Sequence, residues 1–408
     1  MTSPGATGSA LRAALPLVIA GFVISFVVIG GGIDTVSVFL NAISKATDWS
    51  RSGLSLAVSV GAASAALSTP LVGVAVDRFG VRPPMIAGVA LLAVGFGCLL
   101  TMTEVTHFVV ANVFLGAGFA ACALLPITIA VTVHVPQQTA LALGIVGAGS
   151  SAGALVLAPT VQRLIDSFGW RGAYMAMGIA VVLTPLPFLA FALPRGRLQR
   201  AGGAVAATPA TSLMHDLKRQ GVLPLTALMV LPSLAGFSVS VHLVPYLSGL
   251  GHAGTLAAAA LGATIGISAI GKVAGGYVAD RFGALRTLRL ALLLWAAALV
   301  LLARASGMPA LGAFVLLYGL ALGTQIAVIP AIALIVLGGE RFGALFGILQ
   351  LAAMLASAVG PVASGVLFDR TGGYTGALAL WIGAMMVAAL IAFMMREAPV
   401  GVVEEMVV

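Results

Sequence analysis

Charge is what this sequence has least of. Only 8% of its 408 residues are Asp, Glu, Lys or Arg, about a third of the share in an ordinary soluble domain, which excludes a soluble globular protein. No polar stretch is long enough to fold separately, the largest falling at about 194–221, and no appended soluble domain is expected. Cysteine is nearly absent. Cys98 and Cys122 both lie within apolar runs, where a thiol packs as a small hydrophobe, so there is no disulfide framework and neither residue reports a redox compartment. Motifs for several chemistries are missing too. The Gly-rich run from Gly144 to Gly153 lacks the Lys-Ser/Thr that a phosphate loop needs and sits in an apolar segment, which argues against ATP-driven transport and for close helix packing. There is no His-Glu-x-x-His and no Cys/His cluster, so intramembrane proteolysis lacks its metal. No enzyme activity, metal or cofactor is expected.

What is present is apolar: 61% of residues are hydrophobic and the mean hydropathy is +1.15. A membrane-spanning helix needs about 20 such residues. Apolar runs bounded by charges, Pro and Gly fall at roughly 15–40, 52–76, 85–103, 107–133, 139–165 and 172–193, then at roughly 222–248, 255–279, 284–305, 309–337, 342–368 and 374–395. The expectation is an all-α integral membrane protein with twelve transmembrane helices in two pseudo-symmetric six-helix bundles. Residues 1–193 form the first bundle, 194–221 a basic linker and 222–408 the second. An even number of spans puts both termini on one side. Assigning them to the cytoplasm places about twice as many Lys and Arg in inner loops as in outer ones, as the positive-inside rule requires. The formal net charge of +8 is therefore read as topology in a bilayer, with no nucleic-acid partner. The first run is too long for the core of a cleaved signal peptide. The expected location is the cytoplasmic (inner) membrane, with the chain acting as a monomer.

The chain contains an internal repeat. Gly73-Val-Ala-Val-Asp77-Arg78-Phe79-Gly80-Val-Arg82 recurs as Gly276-Tyr-Val-Ala-Asp280-Arg281-Phe282-Gly283-Ala-Leu-Arg286, with Asp77 and Asp280 separated by about half the length of the chain. Gly144 and Gly347 share that displacement, Pro159 and Pro361 nearly so, and Gly169-Trp170 corresponds to Gly373-Tyr374. With this signature between spans 2 and 3 and again between 8 and 9, the chain resembles the major facilitator superfamily over nearly its whole length. Trp49-Ser50-Arg51-Ser52, Gly169-Trp170-Arg171, His242-Leu-Val-Pro245-Tyr246-Leu and Phe368-Asp369-Arg370-Thr371-Gly372 look like its bacterial monocarboxylate and oxalate:formate branch. Two positions depart from that pattern: Pro136-Gln137-Gln138-Thr139 replaces a basic pair, and Gln325 stands where many relatives have Asp. A carboxylate at a helix end can accept from a neighbouring helix N-terminus. Asp77, Arg78 and Arg82, with Asp280, Arg281 and Arg286, are accordingly expected to gate, Arg82 pairing with nearby acids.

Lys272 is the most informative residue. It lies about 12 Å along the helix from Asp280, in a stripe with Thr264 and Ser268 at intervals of four, a stripe expected to face something wet. A cation at such depth costs about 2.5–3.5 kcal/mol and is rarely carried without a partner or a water-filled cavity. The resemblance implies the same, because relatives that move carboxylates carry a cation in this part of span 8. Asp34, on a face with Gly30, Ser37 and Asn41, is expected well inside span 1 as a mate for Lys272 and a carrier of the coupled proton; a solvated position beyond the helix end is the competing reading. His242 shares a face with Ser238 and Tyr246 and offers either a titrating donor or a structural bond between helices. Tyr246, Tyr318, Gln325 and Asn112 complete the expected substrate-binding set, and the resemblance implies that spans 1, 4, 7 and 10, which carry them, line the cavity. The function expected is secondary active transport of a small organic anion with a proton. One membrane cation opposite one acid favours a monocarboxylate. The alternatives are a carrier or efflux pump for zwitterionic or cationic solutes using Asp34, and a solute sensor, for which the segment after Arg396 is too short to signal.

Overall fold

A computed structural model describes residues 14–47, 49, 51–122, 124–135, 138–195, 221–304, 307–337 and 342–395. All the regular structure among them is helical. The expected basic linker, Arg341 and Arg396 fall almost entirely outside these residues. Ten helices in the described part are long and apolar enough to cross a bilayer, and Leu15–Gly31 is a shorter apolar helix. One of the ten, Thr139–Phe191, has 53 residues and would reach about 80 Å at 1.5 Å per residue, far more than a bilayer's roughly 30 Å. Gly169, with φ 68°, breaks it into spans 5 and 6; a side chain there would meet the steric cost of the left-handed region. With the broken first helix counted as span 1, twelve spans result. The other nine run Arg51–Phe79, Arg82–Thr101, Val105–His134, Val222–Gly249, Gly254–Phe282, Ala284–Leu302, Met308–Leu337, Phe342–Thr371 and Thr375–Met394 for spans 2–4 and 7–12, with span 4 carried by two consecutive helices.

Span 1 is not the continuous helix that hydropathy suggests. Leu15–Ile24 passes into a π-helical stretch, Ser25–Gly31, then a turn over residues 32–35, and resumes as Val36–Ala46. The consecutive Gly30, Gly31 and Gly32 supply the backbone freedom, and the Thr35 hydroxyl donates to the Gly31 carbonyl across the turn. Asp34 therefore sits in a helix break and is exposed; the expectation of an acid within a helical face, in register with Gly30, is corrected.

The chain forms two compact units: Met1–Val135 with Ile145–Val205 and Glu340–Ile348, and Pro136–Gly144 with Ala206–Gly339 and Leu349–Val408. Apolar burial gives helices little reason to associate in lipid, so close backbone approach through small residues has to do it. In the first unit, a Cβ on Gly116 would strike the Gly61 carbonyl, and Gly149 and Gly153 lie against the carbonyls of Phe22 and Phe26. In the second, Gly271 meets Leu320 and Gly323 meets Ser268 and Lys272, which fastens span 8 to span 10. Each repeat contributes a short segment to the other's unit. The site geometry explains both.

Candidate functional site

The exchanged segments are helix N-termini held by acids. In the first unit, the Asp77 carboxylate accepts from the backbone N–H groups of Gly343 and Ala344, at 3.1 and 2.8 Å. In the second, Asp280 accepts from those of Ala140 and Leu141, at 3.1 and 2.8 Å. The first N–H groups of a helix have no intrahelical partner and carry the positive end of its dipole, so a carboxylate satisfies both needs at once. Glycine makes the approach possible: a Cβ on Gly73 would collide with the Gly343 carbonyl, and one on Gly276 with that of Ala140.

The arginines behave differently from expectation. Arg82 pairs with no acid among the described residues; its guanidinium donates to the Leu193 carbonyl at the end of span 6, where C-terminal carbonyls lack donors. The matching residue in the second repeat is Arg289, which donates to the carbonyls of Ala392 and Met395 at 3.0 and 2.8 Å, at the end of span 12. Arg289 lies outside the repeated motif, and Arg286, the motif's arginine, is exposed. Arg78 and Arg281 are also exposed and lie over the rings of Phe79 and Phe282.

Lys272 is buried, as are Thr264 and Ser268 on the same stripe. The two hydroxyls donate to the carbonyls of Leu261 and Ile265 in their own helix. The backbone of Lys272 is gripped on two sides: a Cβ on Gly323 of span 10 would strike its N–H, and one on Gly144 of span 5 its carbonyl. The first unit has a counterpart, in which Gly347 lies over the Thr69 carbonyl and Pro70. Thr69 and Lys272 stand as far apart in sequence as Asp77 and Asp280. The repeat thus places a buried threonine in one unit where it places a buried cation in the other.

The remaining expected residues are mostly engaged with the protein. His242 contacts Tyr374 Oη through Nδ1 at 3.2 Å and the Pro361 carbonyl through Nε2 at 3.0 Å. The Tyr246 hydroxyl donates to the Leu302 carbonyl at 2.9 Å, and that of Tyr318 to the Gly236 carbonyl at 3.2 Å beneath Trp295. Asn112 donates to Phe108 of its own helix and packs on Gly61. These contacts satisfy the side chains as burial requires, and those of His242, Tyr246 and Tyr318 tie helices together. Gln325, also buried, has no hydrogen-bond partner among the described residues. It shares Tyr318's face of span 10, whereas Gly319, Leu320, Gly323 and Thr324 face span 8, so Gln325 and Lys272 are not neighbours across that interface.

The sequence matches the Major Facilitator Superfamily family over residues 22–273 and 253–405. The chain belongs to the major facilitator superfamily. It is therefore a multi-pass membrane transporter and not an enzyme. Within the superfamily it is 30% identical to human monocarboxylate transporter 11 over 352 residues, 81% of this chain and 70% of that protein. It is 26% identical to an uncharacterised transporter of Bacillus subtilis, covering 88% of this chain and 90% of the other. The Escherichia coli fucose:proton symporter has the same fold at 16% identity, with a TM-score of 0.79 over 96% of this chain and all of that one. The human organic anion transporter MFSD10 follows at 17% identity and 0.73, over 93% and 99%.

Proposed function

We propose that this superfamily member carries a small monocarboxylate anion across the cytoplasmic membrane, together with a proton, by alternating access. The observation that carries the reading is Lys272, a cation buried in span 8 with its backbone clamped by Gly144 and Gly323. Burying an ammonium is costly, and a site that retains one is matched to an anion that neutralises it. The asymmetry of the repeat supports a monoanion: the second unit has Lys272 where the first has the uncharged Thr69, so the duplicated position supplies one cation. Relatives named monocarboxylate transporters agree with that class.

Asp34 is the proposed proton carrier. It lies in an exposed break of span 1, and neutralising it changes the charge of the pathway as the substrate adds its own. Both termini are placed in the cytoplasm, with Asp77 and Asp280 as latches on that side, each released when the helix it caps moves off. Gln325, a buried amide on span 10, is the proposed polar contact for the solute. Counterflow in proteoliposomes against a panel of small acids, with and without a pH gradient, tests the reading. Exchange of a labelled monocarboxylate by its own kind and acceleration by an inward proton gradient are expected; exchange confined to amines would replace it with the zwitterion reading.

A further inference from the structure

Phe39 and His242 are separated by the same displacement as Asp77 and Asp280 and so hold equivalent places in spans 1 and 7. In the first unit, Phe39 is buried and stacks on Tyr174 of span 6, ring centroids 3.7 Å apart, while Trp170 meets Tyr174 edge-on. In the second, His242 meets Tyr374 at the start of span 12, centroids 5.6 Å apart, and bonds to it and to Pro361 of span 11. Tyr246 and Phe368 close on Tyr374 from other sides. The same joint is apolar in one unit and protonatable in the other.

The hydrogens can be placed by elimination. A carbonyl only accepts, so Nε2 carries a proton for Pro361, and in the neutral ring Nδ1 accepts from the Tyr374 hydroxyl. Protonation turns Nδ1 into a donor, and the phenol, which serves either role, then accepts. Burial raises the Tyr374 phenol above its ordinary value, so it keeps its own hydrogen throughout. No partner is lost, and both bonds become charge-assisted and therefore stronger. The groups around the ring are few. Tyr246 follows on its own helix; Asp369 and Arg370 follow Phe368 at the exposed end of span 11, and Arg304 lies just past Leu302 on span 9. His252 follows beyond the tip of span 7. The last turns of span 7 depend on these side chains more than most helix ends do, because Pro245 leaves the Val241 carbonyl without its usual donor.

We propose that His242 is a proton-responsive fastening, whose protonation tightens the end of span 7 against spans 11 and 12, while the equivalent Phe39 joint ignores pH. The proposal rests on the proton-coupled reading for its use in transport and adds a place where pH on that side of the membrane acts. It is tested by hydrogen exchange of the backbone amides of residues 243–250 in the full-length protein in nanodiscs, from about pH 8 to about pH 5. With intrinsic exchange chemistry divided out, exchange should slow about five-fold towards acid, the scale by which a charge-assisted bond exceeds a neutral one. His242→Phe, which installs the first unit's residue, should flatten the profile, and Tyr374→Phe should diminish the step while keeping the ring packing. Amides around Phe39 should show no step in any variant. A flat wild-type profile, or an unchanged step in His242→Phe, overturns the proposal. The readout needs no substrate, so failure of the monocarboxylate reading would leave this result interpretable, and the reverse.

Discussion

At the scale of single residues, Lys272 and Asp34 carry the transport account, and the sequence exposes them unequally. A lone Lys among apolar residues is conspicuous at any depth of a span. The substitution Lys272→Gln should abolish carboxylate binding and uptake with membrane yield unchanged or improved, since it removes a buried cation that costs about 2.5–3.5 kcal/mol to insert. Lys272→Arg should retain part of the activity, as the charge survives but its shape changes. Equilibrium binding beside uptake checks both. Asp34 was legible as an acid but not in its setting, because hydropathy runs smoothly through the three glycines that break the helix before it. Asp34→Asn mimics the protonated carboxyl, so binding and exchange should persist while accumulation driven by a pH gradient is lost. If Asp34 instead held a substrate ammonium, the same change should cost binding itself, by about 2–5 kcal/mol.

At the scale of helices, the organising contacts are caps. Asp77 and Asp280 each take two backbone N–H groups of a helix from the other repeat. A carboxylate cap of this kind contributes about 0.5–2 kcal/mol. Asp77→Asn and Asp280→Asn should each raise labelling of single cysteines placed on the Asp77 side of spans 5 and 11; equal labelling in both variants and wild type would leave the caps without a gating role. The sequence announced these acids through the repeated motif and the physics of helix ends, yet it did not reveal that Arg82 would bond to the Leu193 carbonyl. Arg286 shares the motif of Arg82, but the carbonyls of span 12 are reached from Arg289, one turn further along span 9, and only packing reveals which turn faces span 12. Arg289→Ala should therefore lower thermal stability by more than Arg286→Ala, by about 1–3 kcal/mol for the loss of charge-assisted bonds to buried-end carbonyls. The glycine grips also differ. A Cβ on Gly144 collides with the Lys272 carbonyl, whereas one on Gly347 lies 3.1 Å from its nearest neighbours, so Gly144→Ala should disturb folding and uptake more than Gly347→Ala.

At the scale of the molecule, duplication explains both what was readable and what was not. Twelve apolar runs and a displaced motif were sufficient for the fold, because lipid demands continuous apolar helices of near-constant length. Shared helix faces mark the hydroxyls of Tyr246 and Tyr318 and the ring of His242, but a face does not distinguish a cavity from a neighbouring helix, and only the structure shows their bonds to backbone carbonyls and to Tyr374. What the repeat did encode is asymmetry: Thr69 against Lys272, and Phe39 against His242. The central claim is that Lys272, where the first repeat has Thr69, makes this a carrier of monoanions coupled to protons. Its most direct test is initial uptake of radiolabelled monocarboxylates and dicarboxylates by proteoliposomes holding wild type or Lys272→Gln, with the outside made acid or left neutral. The account predicts wild-type uptake of a monocarboxylate that rises with the inward proton gradient, little uptake of dicarboxylates, and none of either by Lys272→Gln. Gradient-driven uptake of a monocarboxylate by Lys272→Gln at the wild-type rate would contradict it.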